Sequence, residues 1–496
     1  MSLHEKTGAP HGLLAALIVA AVLVEGYHPY SEDGGVYVAG VKRLLDPGLY
    51  PKYTEFVTEH IRFSLFAPML AGMVRISHVG LPVVLFCVYV ASMWLLLYAA
   101  WQLAARCFPG AWERAGAVAL TALWCGLPVA GTSLMTTDPY VTARSLTTPL
   151  MLLAVAAAMN WRASRRSRWI CVALLAAAAC LHPLMAAYAT GFVALIVVVQ
   201  QERRAVRVWG LTVLGIAAML LAAVLQGTAA ADSPAYTAVA LSRYYWFPWW
   251  WHSYELLGLA GPLVVIALAG RKMVLGRAAI AMGLIAAGVA LAFARVHMAT
   301  HIVARLQPLR CFQIVYLVMM VLLGARMGAM LSRWMRGRWI AAAVLFAGLA
   351  VGMFAAQRQS YPASVHLELP GRAAQNDWVR AFAWVRGNTP VNSLFALDAN
   401  YITTGGEDAQ CFRAIAERSA LPDYSKDGGE ASITPGLTAA WILGSTAQDG
   451  LSADSDAQRK AKLLPLEVDW VVLKRAAVTG LDCPYANETV KVCRMR

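Results

Sequence analysis

The sequence predicts a polytopic α-helical membrane protein with about eleven transmembrane helices and a small α/β domain at its C-terminal end. Of the 496 residues, 59% are hydrophobic and 14% are charged, whereas a soluble chain carries about 25% charged residues. The hydrophobic residues form long blocks, such as 81–105, 278–294 and 311–323. Because a segment of ~18 or more apolar residues can cross a bilayer only with its backbone internally hydrogen-bonded, we expect these blocks to be helices.

The distribution of cations predicts the threading of the chain. Five short polar connections hold fifteen arginines and lysines but only two glutamates: 105–115, 160–169, 200–208, 270–278 and 331–339. Arginine and lysine accumulate in the cytoplasmic loops of membrane proteins, so we place these connections in the cytoplasm. This bias explains the net charge of +14 without a nucleic-acid partner.

Eleven crossings follow from this placement, and together they make residues 1–356 a membrane domain. They lie near 11–26, 81–105, 115–131, 143–160, 169–182, 184–200, 208–226, 256–270, 278–295, 311–330 and 339–356. The N-terminus is then cytoplasmic, and residues 357–496 lie outside, in the periplasm if the membrane is a bacterial inner membrane. The stretch Val24–Tyr27 lacks a small-x-small cleavage pattern, so we expect the first helix to be a retained anchor rather than a signal peptide.

The first outside loop, residues 25–80, differs from the cytoplasmic loops. Glu32 and Asp33 come soon after the first crossing, and the sequence then predicts a short helix over Val36–Leu45. A second apolar stretch, Phe63–Ile76, is too short to span a bilayer comfortably, and we expect it to lie along the membrane surface.

Ionisable residues collect at the outer ends of the predicted crossings. Besides Glu32 and Asp33 they include Asp138, Arg144, His182, His252, Arg295, His301, Arg305 and Arg310. Such groups are costly near the hydrocarbon boundary and tend to line a functional cavity. Arginine matches phosphate oxygens, while a carboxylate can act as a base or hold a cation. We therefore predict a site in which the acids do chemistry and in which Arg144, His182, Arg295, His301, Arg305 and Arg310 bind substrate.

This layout resembles the GT-C superfamily of polyprenyl-phosphate-sugar glycosyltransferases. In those enzymes the first crossing precedes a long extracytoplasmic loop, which has a catalytic acid near its start and two surface-lying helices. Glu32-Asp33 matches that acid, and Asp138 in TTDPY, followed by Arg144, matches a second acid that is often found between the third and fourth crossings. The resemblance covers the whole membrane part in architecture, but only residues 25–62 and 136–149 in motif.

The resemblance implies that a sugar passes from a polyprenyl-phosphate donor to an extracytoplasmic glycan, lipid or protein acceptor, with inversion at the anomeric carbon. Asp33 would abstract or orient the proton of the acceptor hydroxyl, with or without a divalent cation (Mg²⁺ or Mn²⁺) shared with Asp138. Arg295, Arg305 or Arg310 would hold the donor phosphate. The sequence has neither a P-loop pattern nor a dinucleotide-binding glycine pattern, so we expect no nucleotide cofactor.

Other interpretations of the same residues stay open. Asp33 also suits a helix cap, Asp138 a turn before Pro139, and His182 a helix end. A transporter or flippase for a lipid-linked or anionic solute would use the same arginines without a base, although we find no internal repeat of the kind that transporters show. A non-catalytic scaffold of the same fold is the third alternative.

Residues 357–496 are predicted to form an extracytoplasmic α/β domain. The patterns indicate helices over 376–386 and 409–418 and strands over 393–397, 468–473 and 489–493. Glycine, aspartate and serine dominate 425–432 and 444–456, which predicts mobile loops. Cys483 and Cys493 flank a predicted hairpin, and outside the cytoplasm we expect them to form a disulfide.

Overall fold

A computed structural model of the chain describes residues 10–333 and 339–495. This part of the chain is mostly α-helical, with one small sheet near its C-terminal end, as the sequence predicts. Five helical segments are long and apolar enough to cross a membrane: Leu81–Cys107, Arg204–Thr228, Ser253–Gly270, Val274–Phe293 and Ile302–Ser332.

The helices of the first 360 residues are, in chain order, α1 (His11–Glu25), α2 (Glu32–Leu45), α3 (Glu55–Thr58), α4 (Phe66–Ser77), α5 (Leu81–Cys107), α6 (Ala111–Leu123), α7 (Ala143–Ala158), α8 (Arg165–Leu181), α9 (Pro183–Val199), α10 (Arg204–Thr228), α11 (Pro234–Leu241), α12 (Ser253–Gly270), α13 (Val274–Phe293), α14 (Ile302–Leu306), α15 (Phe312–Arg333) and α16 (Trp339–Ser360). Each of the eleven hydrophobic segments predicted from the sequence overlaps one of these helices. The surface helices predicted in the first outside loop correspond to α2 and α4. Residues 1–9 and the cations Arg336 and Arg338, on which the predicted threading also rests, lie outside the described residues.

The third predicted segment, 115–131, is not helical throughout. Helix α6 ends at Leu123, and the chain then forms a hairpin of β1 (Pro128–Val129) and β2 (Leu134–Met135). Gly126 and Pro128 interrupt the apolar run, and the returning strand satisfies the backbone near the helix end, since Thr137 N donates to Cys125 O at 2.8 Å. The hairpin delivers the following loop to the end of α7.

Helices α6 and α15 approach each other backbone to backbone because their contact is made of glycines. A Cβ atom added at Gly324 would lie 2.4 Å from the carbonyl oxygen of Gly116, and one at Gly328 would lie 2.1 Å from that of Trp112. Glycines four residues apart allow this approach in helix pairs within membranes, where van der Waals packing rather than the hydrophobic effect holds helices together.

The C-terminal region is an α/β domain, as predicted. Its helices are α17 (Asp377–Asn388), α18 (Phe412–Ala416), α19 (Lys426–Ile433), α20 (Thr438–Gln448) and α21 (Asp456–Leu463), and its strands are β3 (Leu394–Ala396), β4 (Ser419–Ala420), β5 (Trp470–Lys474), β6 (Tyr485–Ala486) and β7 (Val490–Arg494). The strand order is β4-β3-β5-β7-β6, parallel across β4-β3-β5 and antiparallel across β5-β7-β6. Neighbouring residues of β3 belong to different hydrophobic cores. Phe395 packs in one core with Trp378 and Phe382, and Leu394 packs in the other with Leu463. Cys483 and Cys493 are joined by a disulfide.

Two sequence predictions in this domain are wrong. The segment 425–432, predicted as a mobile loop, is mostly helix α19, and α20 extends into the second predicted loop as far as Gln448. Packing explains the difference: a Cβ atom at Gly428 would lie 2.8 Å from the indole nitrogen of Trp441, so the glycine is needed for close contact rather than for flexibility. The predicted helix 409–418 is shorter, with only Phe412–Ala416 helical.

Replacing Gly328 with leucine should separate α6 from α15. The new side chain would collide with the backbone at Trp112, and overpacking typically costs about 1–3 kcal/mol. We expect a marked fall in the thermal unfolding midpoint of the protein in detergent. Gly348→Leu is the matched control, because nothing lies within 4 Å of a Cβ atom at that helical glycine. Equal midpoints for the two variants would contradict the proposed packing.

Candidate functional site

The start of α2, which carries Glu32 and Asp33, packs closely against Tyr140 and Cys411. Added Cβ atoms would lie 2.9 Å from the ring of Tyr140 at Gly34 and 2.2 Å from the Cβ of Cys411 at Gly35. The two glycines therefore let α2 pack between the loop before α7 and the C-terminal domain. Two acids in the first turn of a helix are also favoured by the helix dipole.

Arg144 links the two predicted acids. It is the second residue of α7 and is only 5% exposed. Its Nη1 and Nη2 atoms each donate to Asp33 Oδ2 at 3.2 Å, and Nη2 also donates to Asp138 Oδ2 at 3.0 Å. Asp138 is likewise buried. The structure thus brings together three residues that the sequence analysis selected, and the bonds of the Asp33 carboxylate go to side-chain cations rather than to backbone N–H groups as in a helix cap.

Lys426, at the start of α19, reaches the same acids from the C-terminal domain. Its ammonium group pairs with Glu32 and lies 3.4 Å from Asp33 Oδ1. Both oxygens of Asp33 therefore face a cation. Burial would raise the pKa of Asp33, but Lys426, Arg144 and Arg310 together hold that pKa well below its usual range. For Asp138 burial prevails over Arg144, and its pKa lies above the ordinary value.

Arg310 is the third cation near Asp33. It lies in a short 3₁₀ turn, Pro308–Cys311, which connects Gln307 to α15. Gln307 has a left-handed backbone conformation, with φ of 52°. The Nε atom of Arg310 is buried without a hydrogen-bond partner among the described residues. A buried guanidinium nitrogen normally has an acceptor, so this one is available for an anionic ligand.

The remaining predicted binding residues have other surroundings. His182 caps α9, since its Nδ1 accepts from Met185 N at 3.5 Å, while its ring still lies within the electrostatic influence of Arg144 and Arg310. Arg295 is exposed and stacks over Trp249, with 5.5 Å between its Cζ and the ring centroid.

Two further residues of the predicted binding set, His301 and Arg305, precede Gln307 in the chain. The Nδ1 atom of buried His301 is 2.8 Å from Asp232 Oδ2. Arg305 lines a cavity together with Asp232 and Tyr236. Of the three arginines predicted to hold a donor phosphate, Arg310 is the one whose charge acts on Asp33. The phosphate-binding role itself stays a prediction.

An apolar groove reaches the turn that carries Arg310. It has a volume of about 440 Å³ and lies between α9, α10 and α13, with a lining that is almost wholly hydrocarbon. Its lining includes Pro308 and Cys311, the first and last residues of the turn that carries Arg310. Tyr188, also in the lining, is close enough to interact electrostatically with Arg310. A long apolar chain in this groove would thus place its polar end at Arg310.

The carboxylates do not fit a divalent cation as they stand. Oxygens of Asp33 and Asp138 already share the guanidinium of Arg144, and the other Asp33 oxygen faces Lys426. Cations of the protein thus occupy the positions where a metal ion would bind most directly. The Mg²⁺ or Mn²⁺ ion considered from the sequence stays a prediction.

Sequence reasoning missed the contribution of the C-terminal domain. Lys426 and Glu430 lie in a glycine-rich segment that was predicted to be a loop, and Arg243 anchors that segment by donating to the carbonyl oxygens of Tyr424 and Ser425 at 2.8 Å. The available signal was the charge pattern: Lys426 and Glu430 are four residues apart, which places them on one face if the segment is helical.

Comparison with known proteins adds no relative: no family model and no curated protein matches the chain. The site is therefore interpreted from its own residues.

Replacing Arg144 with leucine should destabilise the protein by about 3–5 kcal/mol, because it leaves a buried carboxylate without its counter-charge. The thermal unfolding midpoint in detergent measures the effect, and adding Asp138→Leu should recover part of the loss. The control is Arg62→Leu, which removes an exposed ion pair with Glu59 and should cost less than ~1 kcal/mol. A loss no larger than that of the control would show that the Arg144 bridge does not hold the site.

Proposed function

We propose that the protein is an integral-membrane glycosyltransferase, which moves a sugar from a polyprenyl-phosphate donor to an acceptor hydroxyl on the outer side of a bacterial inner membrane. The observation that carries this proposal is the meeting of an apolar groove with a cluster of cations and carboxylates at Arg310. A donor of this class has the same two parts, a long hydrocarbon chain and a phosphate that carries the sugar.

The membrane topology in this proposal has eleven crossings, formed by α1, α5–α10, α12, α13, α15 and α16. The hydropathy and length of five helical segments support it, and so do the cations in the connections between the crossings. The N-terminus is then cytoplasmic, and the C-terminal domain lies outside. The disulfide between Cys483 and Cys493 suits an oxidising compartment.

The donor binds with its chain in the groove and its phosphate against Arg310. The groove opens between α9, α10 and α13, and α10 is exposed along most of its length, so in a membrane a lipid can enter sideways. Arginine provides several N–H donors for the phosphate oxygens, and its charge favours departure of polyprenyl phosphate.

The acceptor hydroxyl attacks the anomeric carbon from the side opposite the phosphate, which inverts the configuration. Asp33 stays ionised because three cations surround it, and it can orient the acceptor or stabilise positive charge that develops on the sugar ring. Arg144 positions Asp33 through its two hydrogen bonds.

Asp33→Asn should abolish transfer while the protein still folds, because asparagine keeps the shape of the side chain but not its charge. Purified protein in detergent would be given polyprenyl-phosphate sugars, and release of polyprenyl phosphate would be measured. Asp46→Asn, which changes an exposed aspartate at the other end of α2, should retain wild-type transfer. Unchanged transfer by Asp33→Asn would contradict the role of this residue. No transfer by any variant, with lipid binding intact, would favour a transporter, a flippase or a non-catalytic scaffold.

Gly191→Phe should obstruct the groove, because Gly191 lines it and faces open space. Excluding about two methylenes of the lipid costs ~1.6 kcal/mol, so the apparent KM for the polyprenyl donor should rise about tenfold. Gly288→Phe on α13 is the matched control: it is also a helical glycine facing open space, but it does not line the groove. Similar KM values for the two variants would contradict donor binding in this groove.

A further inference from the structure

Helices α2 and α19 contact each other beside the candidate site, and we use the name polar chamber for the region around Asp33, Tyr37, His60, Lys426 and Glu430. Lys426 contacts Asp33, and Glu430 follows Lys426 by one helical turn, as Tyr37 follows Asp33. The charge of Glu430 acts on Tyr37, and the charge of Asp33 acts on Glu430. The domain beyond the membrane part thus supplies one side of the candidate site.

Glu430 differs from Asp33 in having an uncommitted carboxyl group. Among the described residues Glu430 has neither a hydrogen-bond partner nor an ion-pair partner for that group, whereas Arg144 and Lys426 engage both oxygens of Asp33. Glu430 is half-buried. A carboxyl group in this position is available to a molecule that enters the chamber.

A second group in the chamber also lacks partners. Both ring nitrogens of His60 are buried without a hydrogen bond to any described residue, and the ring packs edge-on against Tyr37 at 5.2 Å between centroids. Buried polar atoms in native proteins are nearly always satisfied. His60 packs against Tyr37, and the charge of Glu430 also acts on Tyr37. The unpaired nitrogens of His60 and the unpaired carboxyl of Glu430 therefore point to a ligand that carries hydroxyl groups.

We propose that Glu430 is the group that takes the proton from the acceptor hydroxyl. The charge of Asp33 then orients the acceptor or stabilises the positive charge that develops on the sugar ring. This assignment rests on the proposed glycosyl transfer. As the acceptor oxygen bonds to the anomeric carbon, its proton moves to the Glu430 carboxylate. The bond between that carbon and the phosphate oxygen breaks, and its electron pair leaves with polyprenyl phosphate beside Arg310. Glu430 then returns the proton to water.

The surroundings of Glu430 suit proton exchange. Burial, with Asp427, Glu59 and Asp33 nearby, raises the pKa of Glu430 to about 8, close to the pH at which a general base works best. Two carboxyls whose pKa values are driven apart commonly divide the work of a site in this way.

The other titratable groups facing Glu430 are few. On α2 and α19 they are Tyr37 and Lys426, and on α11, which packs against α19, Tyr236 donates to Ser432 O at 2.7 Å. His60 packs against Tyr37, and Arg243 contacts the start of α19. Helix α20 carries no titratable side chain. The charges that act on Glu430 come from Asp427, Glu59 and Asp33, of which Asp427 is paired with Arg413.

The test is the pH dependence of transfer by the full-length protein in detergent, using polyprenyl-phosphate sugars as donors. Because only ionised Glu430 accepts a proton, transfer by the wild type should rise with pH and level off above about 8. Glu430→Gln should lower kcat by about 10²–10⁴-fold and abolish this rise, with little change in donor binding. Glu430→Asp should restore part of kcat.

Glu59→Gln is the companion variant. Glu59 is paired with Arg62 and is one of the acids that raise the pKa of Glu430, so its removal should leave the maximal rate unchanged and move the pH midpoint downward. Wild-type kcat and pH profile in Glu430→Gln, with Asp33→Asn inactive, would overturn the assignment of Glu430 alone. No transfer by the wild type would overturn both this assignment and the proposed function.

Discussion

The buried guanidinium of Arg144 is the interaction on which the geometry of the candidate site depends. An arginine withdrawn from water requires opposite charge and hydrogen-bond acceptors close by, and here Asp33 and Asp138 provide them. Asp33 belongs to α2 and Asp138 to the loop before α7, so burial of one arginine fixes the start of α2 against the start of α7. Lys426 extends the same network to the C-terminal domain. Three segments far apart in the sequence thereby share one electrostatic centre.

Close backbone contact makes that network possible. The ion pairs span little more than 3 Å, so α2 has to lie directly against the loop before α7 and against the C-terminal domain. Glycines at positions 34 and 35 permit this, since any side chain there would overlap Tyr140 or Cys411. The Gly34-Gly35 pair is therefore a packing requirement of the site.

The sequence predicted what local patterning determines. The helices could be predicted because the length of an apolar run is visible within a single segment, without knowledge of tertiary contacts. Asp33, Asp138 and Arg144 could be selected because charged residues at the ends of such segments are unusual. The different surroundings of the arginines and the place of Glu430 depend on tertiary contacts, which the sequence does not show. Arg295, Arg305 and Arg310 look alike in the sequence, but they have different surroundings in the structure: Arg295 lies over Trp249, Arg305 lines a cavity with Asp232, and Arg310 acts on Asp33. Glu430 was missed because its glycine-rich segment becomes a helix only through packing against α2, α11 and Trp441.

The placement of charge explains why two carboxyls in one chamber can have opposite properties. The cations Lys426, Arg144 and Arg310 act on Asp33 and keep it ionised, whereas the charges that act on Glu430 come from Asp427, Glu59 and Asp33 itself. Each added negative charge makes ionisation of Glu430 more costly, so stabilising the Asp33 carboxylate raises the proton affinity of its neighbour. Since Lys426 and Glu430 occupy the same helical face, closure of the C-terminal domain over α2 sets both properties at once. The helices of residues 10–333 and 339–360 alone would have the apolar groove and Arg144, but neither Lys426 to balance Asp33 nor Glu430, for which we propose the proton exchange.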